Sequence, residues 1–168
     1  SLDAVTLLIS LILIAVTCIL MGAGLPTTAL YIMLATVAQP ALGNLGVPPI
    51  ASHLFVLYYG VISEITPPVC ASAYAAAGIA GANPFRTGLS AFSIGIAKLM
   101  VPMVFVYQPA MLIVTDEFTW PAFLSTTISC GIGVFMVATS FAAYFLAPMP
   151  GPFRVLMAIA GILLVAPG

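Results

Sequence analysis

Two prolines, Pro67 and Pro68, interrupt the long apolar run of residues 50–80. Proline has no amide proton and its ring clashes with the preceding helical turn, so a helix that starts near residue 50 must end near Ile65. The carbonyl groups of residues 59–65 are then expected to lose their partners within the helix. Inside a bilayer such groups must be satisfied by protein, water, a cation or a substrate. The break is therefore the first candidate functional feature.

The composition places this run in a membrane. Of the 168 residues, 63% are hydrophobic and 4% are charged, and the mean hydropathy is +1.28. Soluble domains carry about 25% charged residues, so this chain is suited to a lipid bilayer. A net charge of −1 excludes a protein that binds nucleic acid electrostatically. Cys18, Cys70 and Cys130 lie in apolar runs and form no CxxC pair, so we interpret them as packing residues.

A second break lies at Gly22–Thr28, between two apolar runs within residues 5–38. Two interpretations compete: a single span kinked at the glycines, or a re-entrant hairpin with its tip at this break. Residues 5–38 are too many for one untilted span of about 20 residues. Pro26 suits the first turn of a new helix, and Thr27 and Thr28 offer hydroxyl groups to its free amides. We favour the hairpin, with its second arm ending before Gln39-Pro40.

Further apolar segments predict the remaining organisation. The second half of the broken helix, residues 69–80, consists almost entirely of small residues, and we expect it to be buried against protein. Three more spans are predicted at residues 85–107, 121–147 and 153–165. We divide the chain into residues 1–109, which hold the hairpin 5–38, the broken helix 50–80 and the span 85–107, and residues 110–168, which hold C-terminal transmembrane helices.

The few charges predict an orientation. Two spans separate Arg86 from Arg154, so both arginines face the same side, with Asp116 and Glu117 opposite. The positive-inside rule places the arginines in the cytoplasm and the acidic loop outside. The open end of the hairpin then also faces outward.

Three polar residues within the apolar segments are candidates for chemistry. Lys98 lies near the middle of its span, where a charge costs about 2.5–3.5 kcal/mol. It either belongs to a substrate or ion path, or simply faces a water-filled cleft or a cluster of carbonyl groups. His53 and Glu64 are separated by roughly 16 Å along a helix, too far to share a metal. We interpret His53 as interfacial, and Glu64 as either a proton or ion site or the watery end of the first half-helix.

The two breaks together are typical of a transport site. Each supplies carbonyls at the end of one half-helix, amides at the start of the next, and hydroxyl groups nearby. Secondary transporters use such carbonyl ends to coordinate Na⁺ and such amide ends to face anionic groups. The alternative is two packing kinks whose backbone groups are satisfied by neighbouring helices. We favour the site, and we expect no enzyme, since no catalytic triad, phosphate loop or metal-ligand cluster is present.

Four motifs of the chain are distinctive: Gly22–Ala29, His53–Gly60, Ile65–Val69 and Ala71–Gly78. Together they resemble the large permease subunit of TRAP transporters. The similarity is greatest to the fused permeases that pair with TAXI-type binding proteins. It is strong over residues 20–109 and looser over 141–168.

The resemblance implies an all-α polytopic membrane protein of the ion-transporter type. Such permeases have two inverted repeats, each with a re-entrant helical hairpin followed by a discontinuous transmembrane helix, and they work as elevators. This chain has one such unit followed by further spans. Because it also begins at Ser1 without an initiator Met, we expect a C-terminal portion of a longer permease. Its partners would include the N-terminal remainder and the small-subunit region.

The resemblance also implies a site in which the hairpin tip and the break form a Na⁺ site beside the substrate. The resemblance carries over Gly24, Thr27, Thr28, Thr66 and Pro67. We add Gly22, Ser63 and Pro68, at the same two breaks, as candidate ion- or substrate-binding residues. The Na⁺ candidates, acting mostly through backbone carbonyls, are Gly24, Thr27, Thr66 and Pro67. Glu64 and Lys98 are not carried over, because neither belongs to the matching motifs. No cofactor is implied beyond Na⁺ as the coupling ion.

The implied function is Na⁺-coupled import of organic anions such as carboxylates across a bacterial or archaeal inner membrane. A periplasmic TAXI-type binding protein would deliver the substrate. The alternative is a non-transporting scaffold or assembly subunit. An intramembrane enzyme would require His53, Glu64 and Lys98 to converge.

Overall fold

The computed structural model describes residues 2–116 and 118–165, and these residues fold mainly into α-helices. Within these described residues, three helical segments are long and apolar enough to cross a membrane: Ala4–Gly22, Pro84–Tyr107 and Trp120–Ala142. The chain is thus an all-α polytopic membrane protein, as predicted. The helices are α1 (Leu2–Gly22), α2 (Thr27–Gly43), α3 (Pro49–Ser63), α4 (Ala71–Ala80), α5 (Pro84–Gly95), α6 (Met100–Tyr107), α7 (Trp120–Ala142) and α8 (Gly151–Val165), with 3₁₀ turns at Ile96–Leu99 and Pro109–Met111.

The chain divides into two compact units, residues 1–91 and 92–168. The first unit contains α1 to α4 and the start of α5. The second contains the rest of α5 and the helices that follow it. The predicted functional division at residue 109 stays a prediction.

In the first unit, α2 runs antiparallel to α3. Thr27, in the first turn of α2, donates a hydrogen bond to Glu64 just beyond the end of α3. Further along α2, the Tyr31 hydroxyl lies 3.0 Å from His53 Nδ1, near the start of α3. Residues that come later in α2 thus contact residues that come earlier in α3, so the two helices run in opposite directions.

The first helix runs parallel to α3, so α1 and α2 form a hairpin. Cys18 of α1 lies close to Tyr59 of α3, and Gly22 packs against Ser63 one turn later on both helices. Of the two interpretations, the hairpin is confirmed and the single kinked span is wrong. The re-entrant placement of the hairpin in a bilayer stays a prediction. Its second arm continues to Gly43 rather than ending at residue 38, because α2 accommodates Pro40 in its interior.

The broken helix is confirmed, but its carbonyl groups are better satisfied than we expected. The helix α3 ends at Ser63, two residues before the predicted Ile65, and α4 starts at Ala71. The amides of residues 64–66 donate to the carbonyls three residues earlier, at 3.2, 3.1 and 3.1 Å. Tight turns of this kind commonly satisfy the last carbonyls of a helix. The expected loss of partners across residues 59–65 is therefore wrong for the carbonyls of residues 61–63.

The small residues of α4 are mostly exposed in the described part of the chain. Only Ala73 and Ala77 of this helix are buried, and Ile79 is 93% exposed. The predicted burial is therefore wrong for most of α4 and holds only at Ala73 and Ala77, because alanine side chains contact only elements that lie directly against them.

A 3₁₀ turn at Ile96–Leu99 divides the predicted span 85–107. Pro102 lies in the first turn of α6 and has no amide proton for the carbonyl of Lys98. The backbone tightens immediately before this proline, as helices often do where a regular bond is missing.

In the second unit, α7 and α8 form an antiparallel hairpin with close backbone contact. A Cβ at Gly133 would lie 2.7 Å from the Gly161 carbonyl oxygen, and a Cβ at Gly161 would lie 2.7 Å from that of Gly133. Toward the connection, Ser140 Oγ donates to the Arg154 carbonyl at 2.6 Å, and Arg154 Nε donates to the Ser140 carbonyl at 2.9 Å. Small residues allow membrane helices to approach this closely.

The predicted span 121–147 is too long at its C-terminal end. The helix α7 ends at Ala142, and Ala143 adopts a left-handed conformation with φ of 57°. A short antiparallel ribbon follows, formed by β1 (Tyr144–Phe145) and β2 (Ala147–Pro148). Apolar composition continues through the ribbon, which is why the sequence alone extended the span.

Candidate functional site

The hairpin turn and the helix break meet around one cavity in the first unit. Gly22 makes this approach possible, because a Cβ there would lie 2.6 Å from Ser63 Cβ and 2.9 Å from Leu30 Cδ2. The cavity has a volume of about 350 Å³. Its walls come from the hairpin turn (Gly22, Ala23, Gly24, Leu25, Pro26) and from the break (Ser63, Glu64, Val69, Cys70, Ala71).

Glu64 joins the two walls of this cavity. Its Oε1 accepts a hydrogen bond from the Thr27 hydroxyl, and its Oε2 accepts one from the Ser72 hydroxyl at 3.0 Å. Thr27 is the first residue of α2, and Ser72 is the second residue of α4. One carboxylate therefore contacts the first turns of two helices.

The N-termini of two helices, α2 and α4, favour the negative charge of Glu64. The residue follows the C-terminus of α3, which by itself disfavours a negative charge. The N-termini of α2 and α4 carry partial positive charge and lack a side-chain cap from Pro26 or Cys70. The residues that line the cavity include no Lys, Arg or His, so no side chain there neutralises the carboxylate.

The structure brings part of the predicted set to this cavity. Gly22, Gly24 and Ser63 line it, and the Ser63 hydroxyl donates to the Gly60 carbonyl at 2.6 Å. Thr27 does not line the cavity itself but donates a hydrogen bond to Glu64, which does. Thr28, the next residue of α2, is exposed.

The remaining predicted residues are engaged within the break itself. The Thr66 hydroxyl donates to the Ile62 carbonyl at 2.8 Å, and the Thr66 carbonyl accepts from the Cys70 amide at 3.3 Å. The Pro67–Pro68 peptide bond is cis, and the Pro68 carbonyl accepts from the Tyr74 hydroxyl at 2.7 Å. Their direct participation in ion binding stays a prediction.

The sequence interpretation gave Glu64 no partner, although a signal for one was present. Glu64 is a carboxylate within an apolar segment, and such residues usually pair with polar groups inside the protein. What the sequence alone did not supply was the identity of the partners. Thr27 lies 37 residues away and reaches Glu64 only because α2 folds back along α3.

The other candidate residues are not among those that line the cavity. His53 contacts Tyr31, and Lys98 is exposed within the 3₁₀ turn of the second unit. Asp116 is exposed, and Glu117 lies outside the described residues. All three cysteines are buried, as expected for packing residues. Over residues 2–116 and 118–165, no group of three or more His, Cys, Asp or Glu side chains is placed to hold a metal.

The fold defines a multi-pass helical membrane protein in which a hairpin turn and a helix break meet at one cavity. A family model described as "Tripartite ATP-independent periplasmic transporter, DctM component" matches residues 1–120. The chain belongs to this DctM family, the large component of TRAP transporters. No match is found among curated proteins or solved structures.

The family membership establishes the general function and setting. DctM proteins are permease components of transporters rather than enzymes, and they act in membranes as multi-pass proteins. Their tripartite systems comprise a periplasmic binding protein and membrane components. The matched region includes both the hairpin and the broken helix, so the cavity lies within the part of the chain that defines the family.

Proposed function

We propose that this chain forms the cation site of a Na⁺-coupled TRAP permease that imports organic anions such as carboxylates. The site lies between the hairpin turn and the helix break of the first unit. The observation that carries the proposal is the cavity of about 350 Å³ whose walls come from these two features alone.

The charge balance of the cavity favours a cation as one of its ligands. Glu64 contributes a carboxylate, and no basic residue lines the cavity. Apart from the Cys70 sulfur, the side-chain atoms of the lining residues that could bind a cation are all oxygens. Hard cations prefer oxygen ligands. Na⁺ is such a cation. Its binding would neutralise the carboxylate and allow an organic anion to approach.

The helix ends supply the second part of the argument. The N-termini of α2 and α4 direct backbone amides toward the hairpin turn and the break. In secondary transporters such amide ends face anionic substrate groups, next to a cation held by oxygen ligands. We therefore assign the substrate to the same region, and we infer delivery by a periplasmic TAXI-type binding protein at an inner membrane.

The proposal is tested by uptake of labelled carboxylates into cells or proteoliposomes that contain the full-length permease and its binding protein. Replacing Na⁺ with choline at constant osmolarity should reduce the initial rate by about tenfold or more, since binding and translocation would lack the coupling ion. Equal rates in the two media would overturn Na⁺ coupling.

A non-transporting scaffold is the alternative, and the same preparation tests it. In a scaffold the two breaks are packing features only. Variants that insert normally but alter the hairpin turn or the break would then leave uptake by the complex unchanged.

A further inference from the structure

Glu64 connects two parts of the first unit that are distant along the chain. Its two carboxylate oxygens accept from Thr27, 37 residues earlier, and from Ser72, eight residues later. The first bond joins the broken helix to the hairpin. The second crosses the break and joins α3 to α4.

These hydrogen bonds explain how the Glu64 carboxylate is tolerated just beyond the C-terminus of α3, where the helix dipole disfavours a negative charge. Hydrogen bonds from hydroxyl groups to a carboxylate are about twice as strong as those between neutral groups. Both donors lie in first helical turns, where the partial positive charge of the helix adds to the attraction. Glu64 is therefore stabilised by the same elements that it holds together.

We propose that Glu64 is a positioning residue that holds the hairpin turn against the start of α4 and so keeps the cavity assembled. Its consequence for transport rests on the proposed function, whereas its effect on the cavity rests on the contacts alone. Without the carboxylate, the hairpin turn and α4 separate more often, and the cavity opens.

Cys70 provides a native reporter of this opening. It is the residue that precedes α4, lines the cavity and is only 1% exposed. Its thiol is covered in part by α5, because a Cβ at Gly88 would lie 2.5 Å from Cys70 Sγ. Movement of the start of α4 exposes this thiol to a small reagent.

The experiment measures the rate at which N-ethylmaleimide modifies Cys70 in the full-length protein, in choline medium without Na⁺. Mass spectrometry of the Cys70 peptide gives the rate, and the Cys130 peptide from α7 serves as an internal control. Glu64→Ala should raise the Cys70 rate by about fivefold or more, as expected for the loss of hydrogen bonds to a charged group. The Cys130 rate should not change.

Ser72 variants separate positioning from a general loss of folding. Ser72→Ala removes one of the two bonds and should raise the Cys70 rate by about twofold or more. Ser72→Thr keeps the hydroxyl and should restore the original rate. Ser125→Ala is the matched control, since the Ser125 hydroxyl donates only to the Ala122 carbonyl of its own helix. It should leave Cys70 unaffected.

An unchanged Cys70 rate in Glu64→Ala overturns the proposal, and so does an equal rise at Cys70 and Cys130 in both the Glu64→Ala and the Ser72→Ala proteins. The labelling is measured without Na⁺ and without transport. If labelling responds as expected but uptake is equal in Na⁺ and choline, Glu64 still positions the hairpin and only the coupling ion is wrong.

Discussion

At the scale of single residues, two glycines of the hairpin turn have different tasks. Gly22 lies where α1 meets α3, and a side chain there would collide with Ser63 and Leu30. Gly24 lines the cavity, and a Cβ at Gly24 would meet no atom within 4 Å. Gly22 is thus required for packing, whereas the space at Gly24 belongs to the cavity.

This difference predicts the stability of two variants. Gly22→Ala should destabilise the protein by about 1–3 kcal/mol, because Ser63 is attached to a packed helix and cannot yield freely. Gly24→Ala should keep the stability of the original protein. Thermal unfolding of both purified full-length variants checks this, and equal melting temperatures for the two would contradict the packing role of Gly22.

Single residues also show where prediction from sequence ends. The sequence predicts Thr27 from its motif and Ser63 as a hydroxyl group beside a helix break. The role of Glu64 depends on which helices lie side by side, and no local pattern contains that information. Thr66, a leading candidate from its motif, uses its hydroxyl within its own helix end.

At the scale of elements, the contact between α7 and α8 depends on two glycines facing each other. Gly133 and Gly161 are both buried, and each leaves room for the carbonyl group of the other. The Ser140–Arg154 pair fixes the same hairpin nearer to its connection. The hairpin is therefore held by backbone approach and by polar contacts as well as by apolar packing.

A pair of substitutions on α7 tests this interpretation. Gly133→Ala should destabilise the purified protein by about 1–3 kcal/mol, because a Cβ would contact the backbone of α8, which cannot move aside without separating the helices. Gly131→Ala is the matched control, since nothing lies within 4 Å of a Cβ there. Equal unfolding temperatures would show that the close approach is dispensable.

The elements were predictable where apolar runs end at proline or glycine. Both arms of the hairpin and both halves of the broken helix follow from such signals. Their boundaries moved where a local exception applied: Pro40 is accommodated inside α2, and Ala143 ends α7 within an apolar run. Pro102 is a signal for the 3₁₀ turn that precedes it, and the prediction of the span from apolar length did not use it.

At the scale of the whole molecule, composition alone predicted the membrane class, and the family membership confirms the transporter class. Motif spacing suggested that the hairpin turn and the break share one site. The structure shows that they share one cavity, with Glu64 between them. The proposed coupling to Na⁺ would connect this cavity to transport.

Binding of radioactive Na⁺ to the purified full-length protein tests that step most directly. Two variants of α2 that remove one hydroxyl each are compared with the original protein. Thr27→Val removes the hydroxyl that donates to Glu64, and Thr36→Val removes an exposed hydroxyl that donates to the Met33 carbonyl. We predict that Thr27→Val weakens Na⁺ affinity by about tenfold or more, as loss of an orienting partner does at metal sites, while Thr36→Val leaves it unchanged. Equal Na⁺ affinity in all three proteins, or no saturable Na⁺ binding in any of them, would contradict a cation site between the hairpin turn and the break.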